Sequence, residues 1–314
     1  MSDYDEAPLR AAIDIGTNTV LLLVARLHPN ELEVVHEEQR IPRLGKDVDA
    51  NRRLGTDGMD RVIEALNEYK HLIYRDYPTV GQIIVTATSA VRDAANRDEF
   101  LDRVARGTDL NVRVLSGLEE AEFTYRGAVV SLPELTLKDP VSVLDIGGGS
   151  TEMVYGRNQN LLDSYSFDIG SVRFKERYMK SDPPTREEIE TCRSQIRDIF
   201  KTHSFEMEPG TAAIGVAGTV TCLATIDQGI DYYEASTVNG YEMSAGYLKE
   251  FIEKISTWSS AELLEKYPNT LKGRSDVFLT GLLILEQYME LYGFNTLHVS
   301  AGGIRHGALL HSRY

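Results

Sequence analysis

Apolar and polar residues follow one another in a pattern that predicts both strands and helices. Two apolar stretches, 9–13 and 20–27, flank a polar Gly-Thr-Asn-Thr turn, which predicts a β-hairpin, and a third strand is expected around 32–37. Residues 56–75 carry apolar side chains at helical spacing on one face. A β-branched run over 82–87 then predicts a strand that leads into a helix.

Predicted strands and helices also alternate along the rest of the chain. Short apolar runs predict strands over residues 112–115, 141–146, 153–155, 161–167, 212–216 and 297–300. Helical spacing predicts helices over residues 89–96, 119–130, 171–179, 185–202, 218–225, 247–255, 277–292 and 304–310. Strands that alternate with helices are typical of an α/β protein.

The arrangement at the start of the chain recurs in its second half. Ala12–Thr19 aligns with Leu144–Thr151, and each segment consists of a strand, Asp-Ile-Gly, a turn and a second strand. A third strand and then helices follow each copy. The repeat predicts two similar α/β domains that face each other across a cleft. We place domain I at residues 1–130 plus 304–314 and domain II at residues 131–303.

Composition narrows the class of protein. The 314 residues, 42% of them hydrophobic, are enough for two domains with separate cores. The net charge of −15 argues against binding to nucleic acid or an anionic membrane, which needs a basic face. A polyanionic substrate would also be repelled, so local arginines, backbone amides and a metal must overcome this field. An acidic start without a signal peptide, no membrane-spanning run, and two cysteines outside any Cys/His cluster indicate a cytoplasmic protein.

The first Asp-Ile-Gly turn has the features of a phosphate-binding loop. Gly16 permits a tight turn, and the N–H groups and side chains of Thr17, Asn18 and Thr19 could surround an anion. Asp14, at the end of the strand, is placed to hold hydrated Mg²⁺. A plain β-turn explains the same residues, so this loop alone decides nothing.

The second turn is more specific. It contains three consecutive glycines, Gly147, Gly148 and Gly149. Such a run is entropically costly unless the backbone must approach a ligand. Ser150 and Thr151 add hydrogen-bond donors, and Asp145 ends the strand as Asp14 does. An aspartate at this place can also cap the turn, but two in matched positions favour a shared phosphate and metal function.

Four motifs together resemble the exopolyphosphatase/guanosine-pentaphosphatase (Ppx/GppA) family: Asp14–Thr19, Ser116–Ala121, Asp145–Glu152 and Ser300–Gly307. The resemblance extends over essentially the whole chain and fits the short, two-domain form of the family. It implies an α/β fold of two ribonuclease H-like (actin-like/ASKHA) domains around an interdomain cleft. It also implies hydrolysis of phosphoanhydride bonds with Mg²⁺, or Mn²⁺ in its place, in a protein that can form homodimers.

The resemblance assigns roles to several carboxylates. Glu120 corresponds to the general base or water-orienting group, and Glu152 to a second group that orients water or metal. Asp14 and Asp145 correspond to the metal ligands. From the residues alone, Glu120 could simply be an acid favoured by the dipole of a helix start, and Glu152 could be a solvent-facing strand residue.

Phosphate charge must also be neutralised. Arg92 and Arg274 match family positions for arginines that contact phosphate, Arg43 is a weaker candidate, and a guanidinium can bind two phosphate oxygens at once. A surface ion pair is the alternative for each. Gly218 permits close approach of the ligand, and Thr219 could cap its helix while donating to phosphate.

Three further residues or segments receive an interpretation from their pattern. The paired glycines of Ser300–Gly303 resemble an interdomain hinge. His306 is expected in packed core or on the surface rather than in catalysis, and Cys222 is expected to be a buried small hydrophobe.

Three functions are consistent with these features. The first is a Mg²⁺-dependent hydrolase that removes terminal phosphate from inorganic polyphosphate, from guanosine pentaphosphate, or from both. The second is a sensor that binds guanosine alarmones or polyphosphate with little turnover, which the acidic charge slightly favours. The third is a phosphotransferase like the kinases of the superfamily, against which the position of Glu120 argues. The sequence leaves the choice of substrate and the oligomeric state open.

Overall fold

The computed structural model describes residues 7–28 and 32–311. Within these residues the strands are β1 (Leu9–Ile15), β2 (Val20–Leu27), β3 (Leu32–Arg40), β4 (Ile83–Ala87), β5 (Val112–Val114), β6 (Pro140–Ile146), β7 (Thr151–Arg157), β8 (Asn160–Phe167), β9 (Ala212–Val216), β10 (Glu242–Ser244) and β11 (Thr296–Val299). The helices are α1 (Val48–Asn51), α2 (Thr56–Asp76), α3 (Ser89–Arg92), α4 (Arg97–Thr108), α5 (Gly117–Ser131), α6 (Pro133–Thr136), α7 (Ser171–Tyr178), α8 (Arg186–Phe200), α9 (Ala217–Asp227), α10 (Ala235–Val238), α11 (Ala245–Ile255), α12 (Ser260–Lys266), α13 (Ser275–Tyr292) and α14 (Ile304–His311). None of the helices in these residues is long and apolar enough to cross a membrane.

Contacts divide the chain into two compact units. Unit 1 contains the described parts of Met1–Ser116 and Ile304–Tyr314, and unit 2 contains Gly117–Gly303. This division differs from the sequence-based one in helix α5, which the sequence pattern places in domain I. The apolar side chains of α5, including Ala121 and Tyr125, share a core with strands of unit 2. Periodicity identifies the buried face of a helix but not the sheet that covers it.

Unit 1 contains a five-stranded sheet in the order β3-β2-β1-β4-β5 within the described residues. Strands β1, β2 and β3 form an antiparallel meander, and β4 and β5 run parallel to β1. Helices α2 and α4 cover one face, where Tyr69 and Phe100 are fully buried in the core. Helix α14 packs against β1 and β2. Because the parallel strands end at one edge, the segments that follow β1, β4 and β5 lie close together.

Unit 2 repeats this arrangement with one added strand. Its sheet has the order β10-β11-β9-β6-β7-β8 among the described residues. Strands β6, β7 and β8 form the meander, β9 and β11 run parallel to β6 and to each other, and β10 is antiparallel to β11. The order β8-β7-β6-β9-β11 therefore matches β3-β2-β1-β4-β5. Two ribonuclease H-like units of the actin-like fold are thus confirmed.

The core of unit 2 explains the most apolar helix of the chain. In α13 the residues from Val277 to Met289 are all buried. A helix that is hydrophobic on all sides must lie inside its domain. Helices α7, α8, α9, α11 and α12 surround it.

One predicted helix ends earlier than expected. The helix predicted over 89–96 stops at Arg92, and a separate helix, α4, follows. Asn96 separates the two because its amide exchanges hydrogen bonds with the backbone of Leu54, at 2.8 and 3.1 Å. The sequence pattern missed α4 because the helix is strongly charged and only Phe100, Val104 and Thr108 are buried in it.

Candidate active site

The first turn, between β1 and β2, is supported from one side by residues 43–45. The N–H of Gly16 donates to the Thr19 carbonyl at 2.8 Å. The carbonyl of Thr17 accepts from Gly45 N–H at 2.7 Å, and that of Asn18 accepts from Arg43 N–H at 3.0 Å. In a trans peptide the C=O and the next N–H point in opposite directions. The N–H groups of Asn18 and Thr19 therefore point away from this support, as an anion-binding loop requires.

Gly45 has no tolerance for a side chain at this point. A Cβ atom there would overlap the methyl group of Thr17. Arg43 adopts a left-handed conformation, with φ of 53°, and lies on the supporting side of the loop through its backbone. The Thr17 hydroxyl is buried and shares a 3.1 Å hydrogen bond with Ser89 at the start of α3. Thr17 thus fixes the loop to the neighbouring strand end.

Asp14 and Arg92 lie at the same edge of unit 1. Asp14 is buried, and the hydroxyl of Thr86 on the adjacent strand donates to its Oδ1 at 3.0 Å. The Arg92 guanidinium donates to the carbonyl of Leu115 at 3.1 Å and lies 3.8 Å from Asp93. Arg92 is therefore held at the edge by a carbonyl as well as by an ion pair.

The glycine loop of unit 2 is supported by the start of helix α7. The Gly147 carbonyl accepts from Ser171 N–H at 3.0 Å, and the Gly148 carbonyl accepts from the N–H groups of Val172 and Arg173 at 2.9 and 3.0 Å. The third carbonyl, of Gly149, accepts from the Arg173 guanidinium at 2.6 Å. The three carbonyls of the loop thus all point towards α7.

This support leaves the opposite side of the loop rich in donors. The N–H groups that follow the three carbonyls belong to Gly148, Gly149 and Ser150, and they point away from α7. No described residue accepts a hydrogen bond from them. The hydroxyl of Ser150 is buried and also has no partner among the described residues. A buried donor without a partner is rare in proteins, so the Ser150 hydroxyl, together with the three N–H groups beside it, indicates a site for an anionic ligand.

Arg173 is a site residue that the sequence interpretation missed. It is 7% exposed, which is unusual for an arginine outside a specific site. Its guanidinium brings a positive charge to within hydrogen-bond distance of the Gly149 carbonyl. The signal available in the sequence was weak, because Ser171–Tyr178 has the composition of an ordinary surface helix.

Thr151 does not have the role expected from the sequence. Its hydroxyl is fully buried and donates to the Ile169 carbonyl at 2.7 Å. Its proton is therefore used in a hydrogen bond to the segment that leads into α7. Thr151 supports the loop, and Ser150 is the hydroxyl that remains available to a ligand.

Two carboxylates of unit 2 lie beside this loop. Asp145 and Glu152 are opposite one another on β6 and β7, and both are buried. The Asp145 carboxylate accepts from the Thr124 hydroxyl at 2.8 Å, and Glu152 accepts from Ser166 at 2.6 Å. Burial raises the pKa of Asp145 to about 6, which the hydrogen bond from Thr124 opposes. Glu152 is therefore not a solvent-facing strand residue.

Asp145 and Glu152 form a row of carboxylates across β6 and β7, and helix α5 brings Glu120 to this row. Gly117, Glu120 and Thr124 are three and four residues apart, so they share one face of the helix. A Cβ on Gly117 would lie 2.6 Å from Cβ of Ser166 on β8, and Thr124 binds Asp145 on β6. Strand β7 lies between β6 and β8. Glu120, which is 4% exposed, is thereby placed over the middle strand that carries Glu152.

The two units differ at this row. Asp14 in unit 1 pairs with Leu21, whereas Asp145 in unit 2 pairs with Glu152. The repeated fold thus accepts an apolar residue at this position. A buried carboxylate there costs stability unless it has a function or a compensating partner, so Glu152 is a functional candidate rather than a requirement of the fold.

Arg274, Gly218 and Thr219 also come together in unit 2. The Arg274 guanidinium lies against the backbone of Gly218, where a Cβ atom would overlap it. Thr219 is buried in the first turn of α9, but the N-cap is Val216 and no side chain caps the helix. The expected capping role of Thr219 is therefore wrong, because α9 begins two residues earlier. Ala217 has φ of 68°, a strained conformation for alanine.

The ends of three parallel strands collect these groups at one edge. Asp145 pairs with Val216 on β9, and Gly215 pairs with Val299 on β11. The glycine loop after β6 and the Gly218 turn after β9 consequently leave the sheet at the same edge. Such edges are where open α/β sheets bind ligands.

The paired glycines near the end of unit 2 allow close packing. A Cβ on Gly302 would overlap the carbonyl of Gly127 on α5, and a Cβ on Gly127 would overlap that of Gly303. His306 is buried at 3% exposure and belongs to packed core, as expected. Cys222 is also buried, and its thiol donates to the Thr270 carbonyl at 3.3 Å.

A divalent cation fits the donors present. Within residues 7–28 and 32–311, no three His, Cys, Asp or Glu side chains converge as a metal site. Mg²⁺ usually takes one or two carboxylates and completes its shell with water and phosphate oxygens. Asp145 is buried with only the neutral Thr124 hydroxyl as its partner, so no described cation balances its charge. A bound metal ion would supply that charge.

A family model described as the Ppx/GppA phosphatase family matches residues 23–313. The chain belongs to the Ppx/GppA phosphatase family. Exopolyphosphatase 2 of Mycobacterium tuberculosis is 36% identical over 318 residues, covering 96% of this chain and 97% of that protein. This member of the Ppx/GppA family is thus similar to a curated protein over nearly the full length of both.

Solved structures of the family agree with the fold. The Aquifex aeolicus PPX-GPPA enzyme is 31% identical, with a TM-score of 0.81, and the match covers 97% of this chain and 99% of that one. A structure described as an exopolyphosphatase-like protein is 28% identical, with a TM-score of 0.91 over 98% of both chains.

Proposed function

We propose that this Ppx/GppA family member is a Mg²⁺-dependent phosphoanhydride hydrolase. It releases the terminal phosphate of inorganic polyphosphate, of guanosine pentaphosphate, or of both. The observation that carries the proposal is the glycine loop of unit 2, whose donors have no partner among the described residues, beside the buried carboxylates Glu120, Asp145 and Glu152. The name of the M. tuberculosis relative supports polyphosphate as a substrate.

The loop binds the phosphoryl group that is transferred. The N–H groups of Gly148, Gly149 and Ser150 and the Ser150 hydroxyl donate to its oxygens, and Arg274 neutralises charge near Gly218. These donors are fixed before the substrate arrives, so little reorganisation is needed as charge develops. In unit 1, the first turn and Arg92 supply donors of the same kind.

Two carboxylates act on the attacking water. The water oxygen forms a bond to the terminal phosphorus while the bridging P–O bond breaks, and Glu120 accepts the proton. Glu152, on the strand beneath Glu120, orients the water. Asp145 and Asp14 are the residues that would hold Mg²⁺, which when bound neutralises charge on the phosphate oxygens.

Replacement of the proposed base tests the assignment. Glu120→Gln keeps the size of the side chain but cannot accept the proton, so phosphate release should fall about 10²- to 10⁴-fold. Glu119→Gln is the matched control, because Glu119 is the neighbour of Glu120 on the same helix and is half-exposed. This variant should keep activity within a few-fold of wild type. Phosphate release from polyphosphate at the wild-type rate by Glu120→Gln would show the catalytic assignment to be wrong.

A parallel comparison identifies the substrate. Short polyphosphate, long polyphosphate and guanosine pentaphosphate are each incubated with the chain in Mg²⁺, with a chelator, and with Mg²⁺ restored. Release that stops with the chelator and returns with Mg²⁺ is expected. Tight binding of a guanosine alarmone in calorimetry, with phosphate release near background for every substrate, would instead identify the sensor suggested by the acidic charge.

A further inference from the structure

Ser166 on strand β8 is outside every motif that points to phosphate chemistry, yet it contacts the candidate site. Its hydroxyl donates to Oε1 of Glu152 at 2.6 Å. The two residues are opposite each other in the ladder between β7 and β8. A short hydrogen bond to a charged acceptor is strong and directional, so Ser166 limits where the Glu152 carboxylate can lie.

The same serine also supports the helix that carries Glu120. A Cβ on Gly117 would lie 2.6 Å from Cβ and 2.9 Å from Oγ of Ser166. Real Cβ atoms do not approach so closely, so only glycine allows α5 to begin directly over this serine. The helix face that contains Gly117 then continues through Glu120 to Thr124, which binds Asp145.

We propose that Ser166 is a positioning residue that fixes the Glu152 carboxylate beneath Glu120. Its hydrogen bond holds Glu152 from the neighbouring strand. Its contact with Gly117 sets the distance between α5 and the sheet. The relative position of the two glutamates is thus set by one small side chain. This inference rests on the proposed hydrolytic function and adds a residue to it.

The strand offers a matched control. Ser164 lies two residues before Ser166 and is therefore on the same face of β8. It pairs with Val154, and no described residue receives a hydrogen bond from its hydroxyl. Ser164→Ala and Ser166→Ala thus make the same chemical change on one strand, with only the second removing the contact to Glu152.

Steady-state kinetics with polyphosphate is the first test. Ser166→Ala should lower kcat about 10-fold, the loss expected for one hydrogen bond to a charged group, with KM within about 2-fold of wild type. Ser164→Ala should leave both parameters unchanged. A Ser166→Ala enzyme with wild-type kcat would overturn the proposal.

A double-mutant cycle separates positioning from general support. If Ser166 acts through Glu152, adding Ser166→Ala to Glu152→Gln should slow the enzyme by less than about 2-fold further. A full additional 10-fold loss would overturn the proposal, because the serine would then act independently of Glu152.

A crystal structure of Ser166→Ala gives a readout that needs no activity. The Glu152 carboxylate should leave its position while the backbone of β7 and β8 stays in place. A carboxylate that remains where it is in the wild type overturns the proposal. Absence of phosphate release by the wild type would instead overturn the proposed function, and the structure would still decide the role of Ser166.

Discussion

Ser150 and Thr151 are adjacent hydroxyl residues in one loop, and the fold uses them differently. Thr151 donates to the Ile169 carbonyl, whereas the buried Ser150 hydroxyl has no partner among the described residues. A hydrogen bond within the protein stabilises the folded state, but an unsatisfied buried hydroxyl costs free energy unless a ligand binds it. The difference can be measured by removing each hydroxyl.

We expect Ser150→Ala to leave the free energy of unfolding unchanged or slightly higher while lowering kcat/KM about 10-fold. Thr151→Val should instead lower the free energy of unfolding by about 1–3 kcal/mol, because the Ile169 carbonyl loses its donor. Urea unfolding and phosphate-release kinetics on both variants provide the comparison. A Ser150→Ala chain that is destabilised but fully active would mean that the hydroxyl serves the fold.

At the scale of elements, helix α7 and the glycine loop behave as one unit. Five hydrogen bonds reach the loop carbonyls from the backbone of the first turn of α7, from the Ser171 hydroxyl and from the Arg173 guanidinium. The helix begins directly against the loop because Gly170 has no side chain: a Cβ there would overlap the carbonyl of Gly148. The orientation of the loop donors is therefore determined by the helix behind them.

Gly170→Ala should push α7 away from the loop and lower both stability and activity. We expect a loss of about 1–3 kcal/mol in the free energy of unfolding, as for other overpacked sites, together with an increase in KM. Gly246→Ala on α11 is the control, since its nearest contact would be an ordinary 3.8 Å to Ser244. That change should be neutral or slightly stabilising. Equal behaviour of the two variants in urea unfolding would contradict the role given to Gly170.

The whole molecule has a net charge of −15, which repels a polyanionic substrate. The structure places three arginines at strand-end edges: Arg92 in unit 1, and Arg173 and Arg274 in unit 2. Fixed donors at short range can outweigh a diffuse field, because exposed charges beyond a Debye length are screened by salt. Affinity must therefore come from the loops, from Arg92 and Arg274, and from the positive charge of Arg173 behind the glycine loop.

Global stability should depend on pH through His306. Burial lowers the pKa of His306 to about 3 from an ordinary value of 6.5. Below pH 6.5 the unfolded chain therefore binds a proton that the folded chain does not, so stability falls as the pH drops towards 3 and is unaffected by this group above 6.5. Between pH 6.5 and 4.5 the expected loss is about 2–3 kcal/mol.

His306→Gln removes this titration and should flatten the dependence of the free energy of unfolding on pH in that range. His71→Gln, on an exposed helix position, should keep the wild-type slope. Urea unfolding at several pH values measures both. An unchanged slope in His306→Gln would mean that other groups cause the acid sensitivity.

The sequence by itself determined the repeat of strands and turns along the chain and the positions of the two loops. Apolar runs and glycine turns are local signals, so the two hairpins, the Asp-Ile-Gly turns and the helix that carries Glu120 could be located without a structure. The motifs also led to the family. The domain boundary at Gly117 could not be located in this way, because the apolar face of α5 does not indicate which sheet it covers.

Only the tertiary structure decided which site residues have a partner and which do not. Arg173 and Ser166 lack a motif, and they become part of the site because α7 and β8 bring them to Gly149 and Glu152. Thr151 was interpreted as a ligand donor, but its hydroxyl is used by a carbonyl 18 residues away in the chain. The physical reason is common to all three. Hydrogen-bond partners across strands and helices depend on packing, which local sequence patterns do not encode.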